Sequence, residues 1–253
     1  MKRLLTFAVA TAAALVLALP GAAITNGQPD GELHRSVGGF MVFASGQWQL
    51  LCTGALVSPR VFLTASHCTS YAEANGWPVA VSFDSTDVEN TTDLRPATSV
   101  TNPAYRTGVA NDVSLLLLNA PVTDRAAMPL APVGYLDGLK ASGAIKTASF
   151  TNVGYGTQEK GKGKAEDFAF TGDRWYSFSS YSALNKDVIH LHQKENVSEG
   201  GTCYGDSGGP TLSGNLVIAV VSTGDGPCWS TSVNTRVDTA AVRAFLAPYL
   251  ALP

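Results

Sequence analysis

Short apolar segments separated by turn-forming residues are the feature of this chain that most constrains its fold. The segments after Ile24 have the length of strands rather than of helices. Clusters of Gly, Pro, Asn and Ser lie between them, and neither a long linker nor a repeat divides the chain. The segments are residues 37–43, 48–57, 61–64, 79–83, 113–118, 145–153, 187–192, 216–222 and 233–237. This pattern predicts one all-β domain built as a barrel or a sandwich.

The C-terminal stretch differs from the rest because its apolar residues follow helical spacing. Asp238 precedes this stretch and can cap a helix. The apolar positions on one face are Val242, Phe245, Leu246, Tyr249 and Leu250. We therefore expect a helix to close the chain.

The first residues are typical of a secretory signal peptide. Lys2 and Arg3 precede an apolar run that ends at Leu19, and the residues that follow, 20–23, are Pro, Gly, Ala and Ala. The run is too short to span a bilayer, which needs about 20 apolar residues, and no other segment is longer. We expect residues 1–23 to be a signal peptide and residues 24–253 a secreted domain that does not enter a membrane.

Charge and cysteine content narrow the possible partners and the compartment. The chain has 17 basic and 20 acidic residues and a formal net charge of −3, so it lacks the basic surface of a nucleic-acid binder. Its 4 cysteines in an exported chain suggest two disulfides, but spacing alone leaves three pairings open.

Three local sequences together suggest nucleophilic catalysis. His67 lies beside Cys68, Asp112 opens an apolar strand, and Ser207 lies within Gly-Asp-Ser-Gly-Gly-Pro. A serine hydroxyl needs an imidazole to take its proton and a carboxylate to orient that imidazole. Alone, the histidine could be a core residue and the aspartate a turn residue. Their joint occurrence favours a catalytic triad of His67, Asp112 and Ser207.

The three residues occur in the order His, Asp, Ser, as in the chymotrypsin/trypsin-like serine proteases. The chain resembles this family from Ile24 to the C-terminal helix. The resemblance implies two consecutive antiparallel six-stranded Greek-key barrels with a C-terminal helix and the active site between them. It also implies peptide-bond hydrolysis through an acyl-enzyme, protein or peptide substrates, protein inhibitors as further partners, no cofactor, and a monomer.

A competing motif is the G-x-S-x-G elbow of α/β-hydrolases, which residues 205–209 also match. In that fold the catalytic histidine follows the serine. All four histidines of this chain, His34, His67, His190 and His192, precede Ser207. Since the chain also lacks alternating helices, we reject the elbow.

The resemblance also assigns supporting residues. Gly205 and Ser207 would supply the backbone N–H groups of an oxyanion hole. A free Ile24 amine would pair with Asp206, and because Ile24 follows Ala23 rather than a basic residue, signal peptidase itself would expose it. Arg35-Ser36 looks like an activation site, but its distance from His67 fits the family less well. The resemblance pairs Cys52 with Cys68 and Cys203 with Cys228.

The specificity pocket implied by the resemblance carries no fixed charge. Gly201 stands where trypsin-like enzymes hold a carboxylate, so we expect a small-to-medium uncharged side chain before the cut. Asp225 and Glu199 keep a trypsin-like preference open as an alternative. The segment 222–224 would bind the substrate backbone as an added strand, with Thr223 in place of the usual tryptophan. The expected pocket residues are Gly201, Thr202, Ser222, Thr223, Gly224 and Ser232.

Other features lead to weaker expectations. His190 and His192 share one face of a strand, but no third ligand is identifiable, so we expect no metal. Sequons at Asn90 and Asn196 leave glycosylation open. A secreted protease-like binding protein without turnover and an esterase acting through the same triad are the alternative functions.

Overall fold

The computed structural model describes residues 24–157, 170–194 and 199–252. The expected signal peptide, residues 1–23, and the sequon residue Asn196 lie outside these ranges. The short strand β1, Gln28–Pro29, follows the start of the described chain and pairs with a strand of the second half. The remaining strands form two closed barrels that follow each other along the chain.

The first barrel contains six strands, all paired antiparallel, in the closed order β2-β3-β4-β7-β6-β5. Its interior is apolar, with Phe40, Leu56 and Phe62 completely buried. The strands are β2 Val37–Ala44, β3 Gln47–Ser58, β4 Val61–Thr64, β5 Val79–Ser82, β6 Arg95–Val100 and β7 Ser114–Leu118.

The second barrel has six strands in the order β8-β9-β10-β13-β12-β11, and it closes because β11 also pairs with β8. Strand β1 joins the beginning of β9, through Gln28 opposite Tyr176 and Pro29 opposite Trp175. The strands are β8 Ser149–Gly154, β9 Trp175–Leu184, β10 Val188–His192, β11 Pro210–Ser213, β12 Leu216–Gly224 and β13 Thr231–Arg236. The predicted two-barrel fold is confirmed.

The described helices are α1 Ser66–Ala74, α2 Tyr135–Ser142 and α3 Ala240–Leu250, with 3-10 turns at Val88–Asn90 and Ala144–Lys146. Helix α3 is the expected C-terminal helix, and it buries Val242 and Leu246. No helix in the described ranges is long and apolar enough to cross a membrane.

The prediction that Asp238 caps the C-terminal helix is wrong. Thr239 is the cap, and its side chain accepts a hydrogen bond from the N–H of Val242. The Asp238 carboxylate is completely buried and instead accepts hydrogen bonds from Arg236 at 2.8 Å and from the N–H of Leu136 at 2.8 Å. Because the Asp238 carboxylate forms an ion pair with Arg236 within the core, the next residue, Thr239, caps the helix.

Candidate active site

The pairing of two strands in the first barrel brings His67 and Asp112 together. Thr64 at the end of β4 lies opposite Ser114 at the start of β7, so the residues just beyond these strand ends are neighbours. The Nδ1 atom of His67 lies 2.8 Å from Oδ2 of Asp112, and the His67 backbone N–H donates to Oδ1 at 2.8 Å. With the carboxylate as acceptor, Nδ1 carries the proton and Nε2 is left as a base.

The Asp112 carboxylate is 1% exposed and has one more donor, the hydroxyl of Ser222 in β12. This hydrogen bond links the first barrel to the second. Both carboxylate oxygens are therefore held, and the imidazole side chain, 34% exposed, projects from this anchor into the cleft.

Ser207 lies in the turn before β11, on the second barrel. Its carbonyl accepts a hydrogen bond from the N–H of Thr53 in β3 at 2.9 Å, which ties this turn to the first barrel. The structure does not join the Ser207 hydroxyl to His67, whose Nε2 lies 3.5 Å from Sγ of Cys68. Catalytic hydrogen bonds in ligand-free proteins are often long and tighten when substrate binds.

The backbone around Ser207 leaves two N–H groups unused. Gly205 has φ of +99° and Gly208 has φ of +80°, conformations that residues with a Cβ atom rarely adopt. The N–H groups of Asp206 and Gly208 donate to Cys203 and Val221. Within the described chain the N–H groups of Gly205 and Ser207 have no acceptor. They are available for a negatively charged oxygen.

Asp206 is completely buried next to this turn. Its carboxylate accepts hydrogen bonds from the N–H of Gly156 and of Cys203, each at 2.8 Å. Burial raises the pKa of Asp206 to about 7, and the two N–H donors offset only part of that effect. Among the described residues no basic side chain forms an ion pair with it.

Ile24 is also completely buried and packs with Trp175. Thr25 and Gly201 exchange two backbone hydrogen bonds of 3.0 Å each, so this segment lies along the strand-like stretch that leads to Asp206. In the full chain Ile24 is joined to Ala23 by a peptide bond and carries no charged amine. The expected ion pair between Ile24 and Asp206 is therefore absent from this form.

A cavity of about 200 Å³ opens beside Ser207. Four of the six predicted pocket residues line it; of the other two, Gly201 precedes the lining residue Thr202, and the Ser232 hydroxyl lies 2.8 Å from that of Thr202. Its wall includes the disulfide between Cys203 and Cys228. The lining residues are Thr202, Cys203, Tyr204, Ser207, Val221, Ser222, Thr223, Gly224, Asp225, Gly226 and Cys228.

The carboxylate of Asp225 is the acidic group on this cavity, and it is already engaged. It accepts hydrogen bonds from the N–H groups of Trp229, Ser230 and Thr231 at 2.7 to 3.0 Å. Partial burial opposes ionisation of Asp225, but these donors outweigh it and lower the pKa. Glu199 does not line the cavity.

The second disulfide joins Cys52 to Cys68, so both pairings are those implied by the resemblance. The sulfurs of Cys52 and Cys68 and the His67 ring form the one candidate metal cluster among the described residues. Because these sulfurs are bonded to each other, they are not thiolate ligands.

The sequence reasoning missed Gln193, which follows β10 and packs against Gly201 and Thr202. Its side chain contacts Gly201 and accepts a hydrogen bond from the N–H of Thr202 at 2.6 Å. No local motif marks this residue. The available hint is the glycine at 201, a position where a side chain is excluded.

Comparison with known proteins agrees with this geometry. The chain matches the family model described as Trypsin over residues 25–243. A trypsin of Saccharopolyspora erythraea is 30% identical over 186 residues, which cover 70% of this chain and 77% of that protein. Trypsin alpha-4 of Lucilia cuprina is 25% identical over 257 residues, covering 89% and 91%.

Among solved structures, a mutant of human heparin-binding protein superposes with a TM-score of 0.67 at 18% identity, covering 91% of this chain and 98% of that one. At this identity the likeness shows the fold alone. The family model, in contrast, spans most of the chain. The chain therefore belongs to the trypsin family of serine proteases.

Proposed function

We propose that this chain is a secreted serine endopeptidase in which His67, Asp112 and Ser207 form the catalytic triad. The observation that carries the proposal is the fixed His67–Asp112 pair, 2.8 Å apart, together with the N–H groups of Gly205 and Ser207, which have no acceptor in the described part of the chain. An imidazole held by a carboxylate and a preformed anion site are the two elements that acyl transfer requires.

In the proposed reaction the Ser207 oxygen attacks the scissile carbonyl while Nε2 of His67 takes its proton. The N–H groups of Gly205 and Ser207 receive the negative oxygen of the tetrahedral intermediate. Loss of one such donor typically costs about 3 kcal/mol of transition-state stabilisation. His67 then gives its proton to the leaving amine, and an acyl-enzyme remains. A water molecule, deprotonated by His67, completes the hydrolysis.

The end of β12 supports binding of an extended peptide. Strand β11 pairs with β12 only as far as Val220, so Thr223 and Gly224 are bonded to β13 on one side and exposed. Their free edge suits an added substrate strand, and threonine leaves this surface without the large ring that the family usually has.

The cavity beside Ser207 suits a small-to-medium uncharged side chain. Asp225, the acidic residue among its lining residues, is held in place by three backbone N–H donors, and residue 201, where the resembled trypsin-like enzymes hold a carboxylate, is a glycine. We therefore favour cleavage after uncharged residues over the trypsin-like alternative. Protein and peptide substrates, protein inhibitors and a monomeric state complete this proposal.

Exposure of Ile24 is part of the same proposal. Signal peptidase would cut after Ala23, and the new amine would pair with Asp206, whose buried carboxylate lacks a basic side chain within the described ranges. Sequencing of the secreted protein is expected to start at Ile24, and any other first residue contradicts this route.

A fluorophosphonate probe tests the activity directly. We expect stoichiometric labelling of the protein that begins at Ile24, none of Ser207→Ala, and full labelling of the matched control Ser213→Ala. Profiling on a peptide mixture is expected to give cuts after uncharged residues. Cuts after Arg or Lys would retain the mechanism and refute the pocket assignment.

The alternative is a binding protein without turnover, and the likeness to a heparin-binding protein is the observation in its favour. Heparin is a polyanion, whereas this chain has 20 acidic against 17 basic residues. Folded protein that starts at Ile24, takes no probe and is retained by heparin at physiological salt would establish this alternative.

A further inference from the structure

One buried side chain, that of Gln193, holds Thr202, a residue that lines the cavity. Gln193 is 1% exposed, and it is positioned directly after β10 by a hydrogen bond from its own N–H to the carbonyl of Ser230 at 3.1 Å. A glutamine is rarely this buried, and Nε2 of this one has no hydrogen-bond partner among the described residues.

The amide oxygen of Gln193 accepts hydrogen bonds from Thr202, from its N–H at 2.6 Å and its hydroxyl at 3.3 Å. The Thr202 hydroxyl also lies 2.8 Å from that of Ser232, which donates to the side-chain oxygen of Asn234 at 2.9 Å. Thr202 lines the cavity, and the other three residues do not. Thr202 thus rests on an uncharged layer whose oxygen atoms are hydrogen-bonded, while Nε2 of Gln193 and Nδ2 of Asn234 have no partner among the described residues.

Gln193 also determines what residue 201 can be. A Cβ atom built on Gly201 would lie 2.1 Å from both Cδ and Oε1 of Gln193 and 2.2 Å from Cγ. These distances are far below van der Waals contact, so no side chain fits at position 201 while Gln193 keeps its place. Gly201 is a glycine here for a steric reason.

We propose that Gln193 is a specificity-determining residue that closes the bottom of the substrate pocket. It shortens the pocket and prevents a carboxylate at position 201, so the substrate residue before the cut must be short and uncharged. This inference rests on the proposed peptidase function for its consequence on substrates. Its steric basis does not depend on turnover.

The sharpest test uses p-aminobenzamidine, a fluorescent aromatic amidine that needs depth and a carboxylate but no catalysis. We expect no binding to the wild type, to Gln193→Gly or to Gly201→Asp. The double variant Gln193→Gly/Gly201→Asp is expected to bind at least 100-fold more tightly than either single variant. If Gly201→Asp alone binds as tightly as the double variant, Gln193 does not block the site and the proposal is wrong.

Thermal unfolding of each variant checks that the comparison is made on folded protein. Removing Gln193 leaves the N–H of Thr202 without its acceptor, so Gln193→Gly could unfold. In that case Gln193→Ala, which restores one carbon to the site and a less flexible backbone, replaces it in both the single and the double variant. Equal binding of p-aminobenzamidine by Gly201→Asp and by Gln193→Ala/Gly201→Asp would contradict the proposal in the same way.

Peptide cleavage gives a second readout. Gln193→Gly is expected to raise kcat/KM for Leu or Phe before the cut, relative to Ala, by at least 10-fold. Gln193→Met, which keeps the volume, and Gln47→Gly, a matched exchange at the exposed start of β3, are expected to keep the wild-type ranking. An unchanged ranking in Gln193→Gly contradicts the proposal. Absence of fluorophosphonate labelling would instead refute the peptidase function, while the amidine test still decides the role of Gln193.

Discussion

Buried carboxylates are held in two different ways in this molecule. Away from the cleft, Asp30 accepts a hydrogen bond from Nε of the buried Arg174 at 2.7 Å and also contacts the His34 ring, and Asp238 pairs with Arg236. Burial opposes ionisation of Asp30, but the hydrogen bonds from His34 and Arg174 prevail and lower its pKa. These charges are neutralised within the fold and act as structural ties.

At the cleft, the two buried carboxylates have no arginine or lysine partner among the described residues. Asp112 is held by His67 and the Ser222 hydroxyl, and Asp206 by two backbone N–H groups. A carboxylate without a fixed cation can stabilise a charge that forms during reaction or processing. The location of the arginines therefore distinguishes the carboxylates that act as structural ties from the two that we propose to be functional.

The largest expected effect concerns Asp112. In Asp112→Asn the amide can donate to Nδ1 and favour the wrong tautomer of His67, so kcat should fall about 10⁴-fold. Because the new side chain has the same shape, the melting temperature should change little. Steady-state cleavage and thermal unfolding measure both quantities. A loss of kcat below 10-fold would place Asp112 with the structural acids.

Asp206 should make stability depend on pH in a form that retains Ala23. Its pKa is raised from 3.8 to about 7, so the folded state binds the proton more tightly than the unfolded state. The associated stability is present below the unfolded pKa and is lost as the pH rises towards 7, by about 4 kcal/mol in total. In a form that begins at Ile24, the amine should reduce this loss.

Urea unfolding of both forms between pH 4 and pH 8 measures this difference. Asp206→Asn should flatten the pH dependence of the form with Ala23, since the titrating group is gone. Identical pH profiles for the two forms would mean that the Ile24 amine does not reach Asp206.

Arg174 should affect stability and leave the chemistry intact. Arg174→Met removes the cation from the buried Asp30, which typically costs about 3 to 5 kcal/mol. The lowered pKa of Asp30 contributes stability that is lost as the pH falls, the opposite direction to Asp206, and this acid-side loss should shrink in the variant.

The measurements for Arg174→Met are urea unfolding and fluorophosphonate labelling of the protein that is still folded. Arg35→Met is the matched control, because Arg35 forms an exposed pair with Glu32 and should contribute less than about 1 kcal/mol. Lost labelling in folded Arg174→Met would contradict the division into structural and functional acids.

The smallest effect is expected at Ser222. Its hydroxyl donates to Asp112, and a hydrogen bond to a charged group contributes about 1.5 kcal/mol, so Ser222→Ala should lower kcat about 10-fold. Ser149→Ala, at the exposed start of β8, is the control for cleavage rates. An unchanged rate would show that His67 alone orients Asp112 sufficiently.

The strands that the sequence predicted are those with buried apolar faces. All four residues of β4, Val61–Thr64, are buried, so its bounds were predicted correctly. Strand β9 escaped because two of its inward residues, Ser177 and Ser179, are polar, and Ser179 donates to the carbonyl of Gly200 at 2.7 Å. Strand β6 was missed because all its residues are partly or fully exposed and several are polar. Strands β1 and β11 were missed because they are too short to show a period.

The candidate site likewise contains residues that the local sequence reveals and residues that it does not. The surroundings of Ser207 and His67 are local sequences whose backbone and chemistry are readable from neighbouring residues. Gln193 contacts Gly201 in space, and that contact has no signature in the sequence around either residue. Likewise, Thr239 rather than Asp238 caps α3 because Arg236 binds the Asp238 carboxylate, a contact that the local sequence does not reveal.

The packing of Gln193 under Gly201 also restricts how this protein can change over generations. In the proposed pocket a carboxylate at position 201 would favour basic residues, yet a Cβ atom introduced there first lies 2.1 Å from the Gln193 side chain. The opposite order, in which Gln193 becomes small first, passes through a protein with a deep neutral pocket. Two neighbouring specificities are thus connected by one ordered route, and its direction is imposed by a single steric contact.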